Sequence, residues 1–251
     1  MLSLNKKFIT DYKNNYYENL ASFKRTYNKD LVILLYHGVS NSNSKGIENI
    51  SKKHIPEKDF LKQMRYLKKK FNILSMDEVI YYKVSRLKYP DNSVVITFDD
   101  GFENNYSVAA PILNDLNIPA TFYISSGMIG TKKMFWVDIL EDCINRTKKN
   151  NIEIMLHRSF SFRLDSIEKK IEALQLIKNY CKHVKQMEKN RVVKDLIDIT
   201  NVIPDENQSP NYLKLNWKQV FEMDTNQLFL VGGHSTFHDI LSKLPYKIMK
   251  E

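Results

Sequence analysis

Apolar residues along this chain gather into short continuous runs, separated by longer stretches in which they recur every three or four positions, and that alternation predicts an α/β fold. Residues 31–36 form the first continuous run, read as a strand buried on both faces of a parallel sheet. From Pro56, with Glu57 and Asp59 in the first turn, Phe60, Met64 and Leu67 keep helical spacing until Lys68, Lys69 and Lys70. This predicts a helix of about three turns whose cationic end suits the helix dipole. Residues 71–75 lead into a short helix over 77–83, the Pro90-Asp91-Asn92 turn signal follows, and 93–98 read as a second core strand. A helix over 107–116, a breaker at 117–119 and a strand over 120–124 complete a strand–helix–strand unit of crossover length. Ligands of such folds sit beyond the carboxyl ends of the strands.

Between residues 132 and 210 the pattern turns helical and highly charged, with helices expected over 136–146, 166–180 and 185–199; it reads as a helical insertion. A further helix starting at Asn216 feeds a strand over 228–231. Residues 1–30 are polar and aromatic-rich, read as a helical arm that packs on the domain formed by 31–251. Trp136 and Trp217 are expected as core anchors, and Cys143 and Cys181 as free core thiols. His54, His157 and His183 are read as surface or ordinary packing residues.

The 43% hydrophobic and 27% charged composition is that of a soluble globular protein, without an apolar run long enough to span a bilayer. No secretory signal pattern is read at the N-terminus, so a cytoplasmic location, peripheral to the inner membrane face, is expected. The net charge of +9 is uneven: residues 1–90 hold 18 Lys/Arg against 8 Asp/Glu, and the remainder 20 against 21. The basic front segment reads first as a solvated face, and otherwise suits contact with an anionic membrane surface or a phosphate-bearing substrate. No zinc finger, basic zipper or RNA-binding aromatic motif accompanies it, which argues against specific nucleic-acid binding.

Chemistry concentrates where two core strands stop. The 93–98 run ends in Asp99, Asp100 and Gly101; the 228–231 run ends in Gly232 and Gly233, then His234, Ser235, Thr236, Phe237 and His238. Each motif alone also fits a turn or a packing accident, but their joint placement at two strand ends favours a site. A catalytic cation of the zinc type takes three protein ligands and keeps one position open, and Asp100, His234 and His238 supply that number. Asp99 is then free to accept a proton from water.

The segment Thr97-Phe98-Asp99-Asp100-Gly101 and the segment His234-Ser235-Thr236-Phe237-His238 resemble the two signature motifs of the polysaccharide deacetylases, the nodulation-type deacetylase homology domain of carbohydrate esterase family 4. The resemblance extends to residues 117–124 and 60–79. It implies a distorted (β/α) barrel and metal-dependent removal of an N-acetyl group from an acetamido sugar or polysaccharide. Asp99 is implied as general base, and Asp100, His234 and His238 as ligands of a divalent ion, with zinc expected. Tyr36-His37-Gly38-Val39 is similar to the Tyr-His motif of one family branch, which implies His37 as catalytic acid. Only four core strands are legible where a seven- or eight-stranded barrel is implied, so the barrel is expected to be incomplete at the C-terminus. A catalytically inactive sugar-binding or scaffolding relative would keep the same metal loop. Substrate-binding residues are not legible.

Overall fold

The computed structural model describes residues 31–41, 44–204, 206 and 209–250. The arm expected over 1–30 lies outside them. The chain enters at β1 (Val32–Tyr36), followed by β2 (Gly38–Ser40) and β3 (His54–Pro56), which pair in parallel. Then come α1 (Glu57–Lys70), β4 (Asn72–Ile73), α2 (Met76–Val84) and β5 (Ser93–Phe98). A π-helical turn (Asn105–Ala109) runs into α3 (Ala110–Asp115) and then β6 (Ala120–Ile124). Next are α4 (Trp136–Arg146), β7 (Asn151–Met155), β8 (Ser159–Arg163), α5 (Ile167–His183) and α6 (Gln186–Thr200). The described chain finishes with α7 (Trp217–Asp224), β9 (Phe229–Gly233) and α8 (Tyr246–Lys250). Among the described residues no helix is long and apolar enough to cross a membrane.

The main sheet is wholly parallel, in the order β1-β5-β6-β9. β1 runs beside β5 from Val94 to Phe98, so β4 and β6 share the other edge of β5: β4 at Ser93 and Val94, β6 at Thr97 and Phe98. The strands splay there, as in a distorted barrel. β1 and β9 do not pair, and the barrel is not closed among the described strands.

One aromatic from each of the four strands builds a row through the core. Tyr36 stacks on Phe98 at 5.4 Å, Phe98 on Phe122 at 4.8 Å, and Phe122 meets Phe229 edge-on at 5.3 Å. Phe60, Met64 and Leu67 of α1 and Val220 and Met223 of α7 pack in the same cluster. The predicted helical spacing is therefore the buried face of α1. At α2, Ser75 caps the helix in a reciprocal pair with Glu78, starting it at Met76.

Four expectations need correction. β1 is not buried on both faces: Leu34 and Tyr36 pack inward, but Ile33 and Leu35 are 51% and 55% exposed, because this edge strand has no described layer over its other face. The region 132–210 is not purely helical. Its cluster is built on the hairpin β7–β8 as well as α4, α5 and α6; Ile152 and Ile154 face inward while alternate residues face water, a strand pattern masked by the surrounding charge. The helix over 107–116 starts instead as a π-helical turn. Trp217 is 56% exposed at the first turn of α7, lying over Gly130, because Val220 and Met223 occupy the core-facing side. Trp136 does pack, partly buried, against the second cluster, and Cys143 and Cys181 are free and buried.

The aromatic row sets a testable contrast. Phe122→Ala is expected to cost about 3–5 kcal/mol of unfolding free energy, whereas Leu35→Thr on the open face of β1 should change it by about 0.5 kcal/mol or less. Urea denaturation of the two variants checks both values.

Candidate metal and catalytic site

Parallel register brings the two motifs together. Tyr36 and Phe98 are level, so His37 and Asp99 leave adjacent strand ends, and the Asp99 amide donates to the Tyr36 carbonyl at 2.9 Å. On the other side β6 stands between β5 and β9. The His234 amide donates to the Ile124 carbonyl at 2.8 Å, the Ser125 hydroxyl to the His234 carbonyl at 3.0 Å, and the Gly127 amide to the Thr236 carbonyl at 2.8 Å. The loop after β6 is thus laced to the histidine loop. A Cβ at Gly127 would lie 2.8 Å from the Thr236 carbonyl oxygen and 2.5 Å from the Phe237 ring, so only glycine fits this approach.

Both motifs bend through the left-handed region. Asp100 has φ 80°, Ser235 61° and His238 56°, conformations that cost non-glycine residues of order 1–3 kcal/mol each. The bends converge three side chains. His238 Nε2 is 3.2 Å and His234 Nε2 3.6 Å from Asp100 Oδ1, and one ligand atom from each residue lies within 4.8 Å of the others.

Asp100 is 2% exposed, yet Oδ1 has no hydrogen-bond donor, and neither does the buried His238 Nδ1 find a partner. A buried, unpartnered carboxylate is costly. Burial holds His238 below the ordinary imidazole range, with the Asp100 carboxylate opposing; the neutral ring is the ligating form. One carboxylate oxygen and two imidazole nitrogens facing a shared point fit a divalent cation of the zinc class. Asp99 lies 4.0 Å from His234 Nε2, and burial raises its carboxyl above the ordinary range against the pull of His234 and His37.

His37 is half-buried and lines the same cleft as Asp100, His234 and His238, a cavity of about 920 Å³. Its carbonyl accepts from the Asn105 amide at 2.8 Å. Trp136, expected as a core anchor, also lines this cleft, together with Lys178 and Lys182, which the sequence reading passed over. Beneath lies a buried layer it also missed: Lys53 pairs with Asp138, Lys214 approaches the same carboxylate at 3.9 Å, and Phe135 lies between Lys214 (4.3 Å) and His238 (4.7 Å). His54 belongs to this layer as a packing residue, against Phe102 and 3.0 Å from Asn104, with Gly38 held close over its ring. His157 and His183 are exposed and outside the cleft.

His54 gives a pH signature. Burial, aided by Lys53, lowers its pKa to about 3. Below about pH 6.5 the unfolded chain takes up this proton and the folded one does not, so the stability present above pH 6.5 is lost as pH falls toward 3. The denaturant midpoint should drop across this window, less steeply in His54→Gln.

Comparison with known proteins agrees with the first of the two motifs. Residues 86–194 match the family profile described as polysaccharide deacetylase. The chain is 37% identical over 100 residues to a poly-beta-1,6-N-acetyl-D-glucosamine N-deacetylase of Staphylococcus aureus, a match covering 39% of this chain and 33% of that protein. It is 29% identical over 128 residues to the YxkH protein of Bacillus subtilis, covering 51% of this chain and 42% of that one. The match thus spans well under half of these curated relatives. The solved structure of IcaB from Ammonifex degensii aligns with a TM-score of 0.48 at 20% identity, over 88% of this chain and 60% of the other. Over residues 86–194 the chain is similar to the polysaccharide deacetylases.

Proposed function

We propose that the protein hydrolyses the N-acetyl group of an acetamido sugar, releasing acetate and leaving the amine. The observation that carries this reading is the buried Asp100 carboxylate oxygen, without a hydrogen bond, facing the nitrogens of His234 and His238. Asp100, His234 and His238 would hold a divalent ion, zinc by donor set. Such an ion, when bound, polarises a carbonyl oxygen and lowers the pKa of water toward about 7.

The remaining steps belong to the chain's own groups. Asp99, beside His234 but not among the three converging residues, accepts the proton of the attacking water; its raised pKa brings it nearer to the working range of a general base. His37, entering the cleft from the end of β1, holds the proton that the departing amine nitrogen takes as the C–N bond breaks. In this reading Tyr36-His37 acts as in the family branch with an early Tyr-His motif. Water and acetamide give acetate and amine, and no other reactant is needed.

Two measurements separate binding from chemistry. Metal analysis of purified Asp100→Ala and His238→Ala should show loss of a stoichiometric divalent ion, and full retention in both removes the triad. Asp99→Asn should keep the ion yet release acetate from N-acetylglucosamine oligomers at least about 100-fold more slowly, the usual span of a general base. An equally active variant assigns the base elsewhere.

A further inference from the structure

The cleft is lined by two chemically different sets of side chains: His37, Asp100, His234 and His238, and the lysines Lys52, Lys53, Lys178 and Lys182. The acidic groups of the cleft do not balance the lysines. Asp239 is taken by Lys189 at 3.0 Å and by the Gln186 amide, and Lys53 is matched by Asp138. Among the described residues, the Lys178 and Lys182 ammoniums make no hydrogen bond and no ion pair.

Lys178 is the telling residue. It sits one turn before Lys182 on α5, half-buried in the cleft wall, and like charges at this spacing oppose the helix. Burial holds its ammonium below the ordinary lysine range, Lys182 and Lys53 push the same way, and Glu141 and Asp138 oppose. The helix dipole favours a cation in the last turn, which accounts for Lys182. It does not account for a second ammonium that gives up water one turn earlier without gaining a counter-ion. An anionic ligand in the cleft removes that cost.

All four lysine and arginine cations lining the cleft are lysines. An ammonium meets phosphoryl oxygens as a point charge, as the lysine of phosphate-binding loops does. We propose that Lys178 and Lys182 in this cleft bind a phosphoryl group carried by the substrate, so that the acetamido sugar acted on is phosphorylated or diphosphate-linked. The inference rests on the deacetylase reading for the rest of the substrate.

The test uses the full chain with inorganic pyrophosphate as probe, measured by calorimetry in the unaltered protein and in Asp100→Asn, where binding by a metal at the triad is suppressed. Pyrophosphate should bind in both. Lys178→Gln should weaken it about tenfold or more, Lys182→Gln less, and Lys178→Arg should restore it. In acetate-release assays, the kcat/KM ratio of a diphosphate-linked N-acetylhexosamine to a neutral N-acetylglucosamine oligomer should fall about tenfold in Lys178→Gln. A nucleoside-diphosphate sugar and a polyprenyl-diphosphate sugar, run side by side, identify which carrier supplies the phosphoryl group. Pyrophosphate affinity unchanged in both glutamine variants overturns the site, even if acetamides are cleaved. Binding through Lys178 by a protein that cleaves no acetamide keeps the site and overturns the deacetylase reading.

Discussion

Everything at the active end depends on β6 acting as a spacer in parallel register between β5 and β9. Phe98 is level with Phe122 and Ile124 with Gly233, so two motifs far apart in sequence leave the sheet on either side of one short strand. The loop after β6 then ties to both, through the Ser125 amide to the Asp100 carbonyl and the Gly127 amide to the Thr236 carbonyl. The aromatic row from Tyr36 to Phe229 keeps the four strands level beneath these ends. Without that level floor, three ligand atoms could not fall within 4.8 Å of one another.

The left-handed bends at Asp100, Ser235 and His238 are the local cost of this convergence. A straight continuation of either strand would alternate its side chains between faces. The bend at Asp100 instead turns its carboxylate into the core while Asp99 stays near the cleft; the side chains are 3% and 14% exposed. Adjacent aspartates thereby acquire different environments, the condition under which two neighbouring carboxylates can take different roles.

The strands were legible because their apolar runs are continuous and their ends carry glycine beside unusual polar clusters; residues 93–101 and 228–238 announce both a strand and its purpose. β2 and β3 were not legible, since three-residue strands hold no period. The hairpin β7–β8 alternates correctly but lies in a tract whose lysines and glutamates resemble an exposed helix. Nor was the exposure of Ile33 and Leu35 readable, because burial on the second face of a strand depends on what other segments cover. Lys178 and Lys182 gave a faint signal, two cations at one-turn spacing, yet only folding places them in one cleft with Asp100. Lys53, Asp138 and Lys214 gave none, each arriving from a different element.

That buried layer bears on the triad through charge. Asp138 is 2% exposed; burial alone would raise its carboxyl, but Lys53 and Lys214 outweigh this and hold it ionised. Lys214, lowered to about 8 by burial, lies over the faces of Phe102 and Phe135 and donates to the Tyr212 carbonyl at 2.6 Å. The Phe135 ring separates this layer from His238. Asp138 and Lys53 act on His238 in opposite senses, the Asp138 carboxylate more strongly, and it is the ring's own burial that holds it away from the protonated state. A neutral imidazole beside the Asp100 carboxylate is the arrangement in which a cation, rather than a proton, fits the space between them.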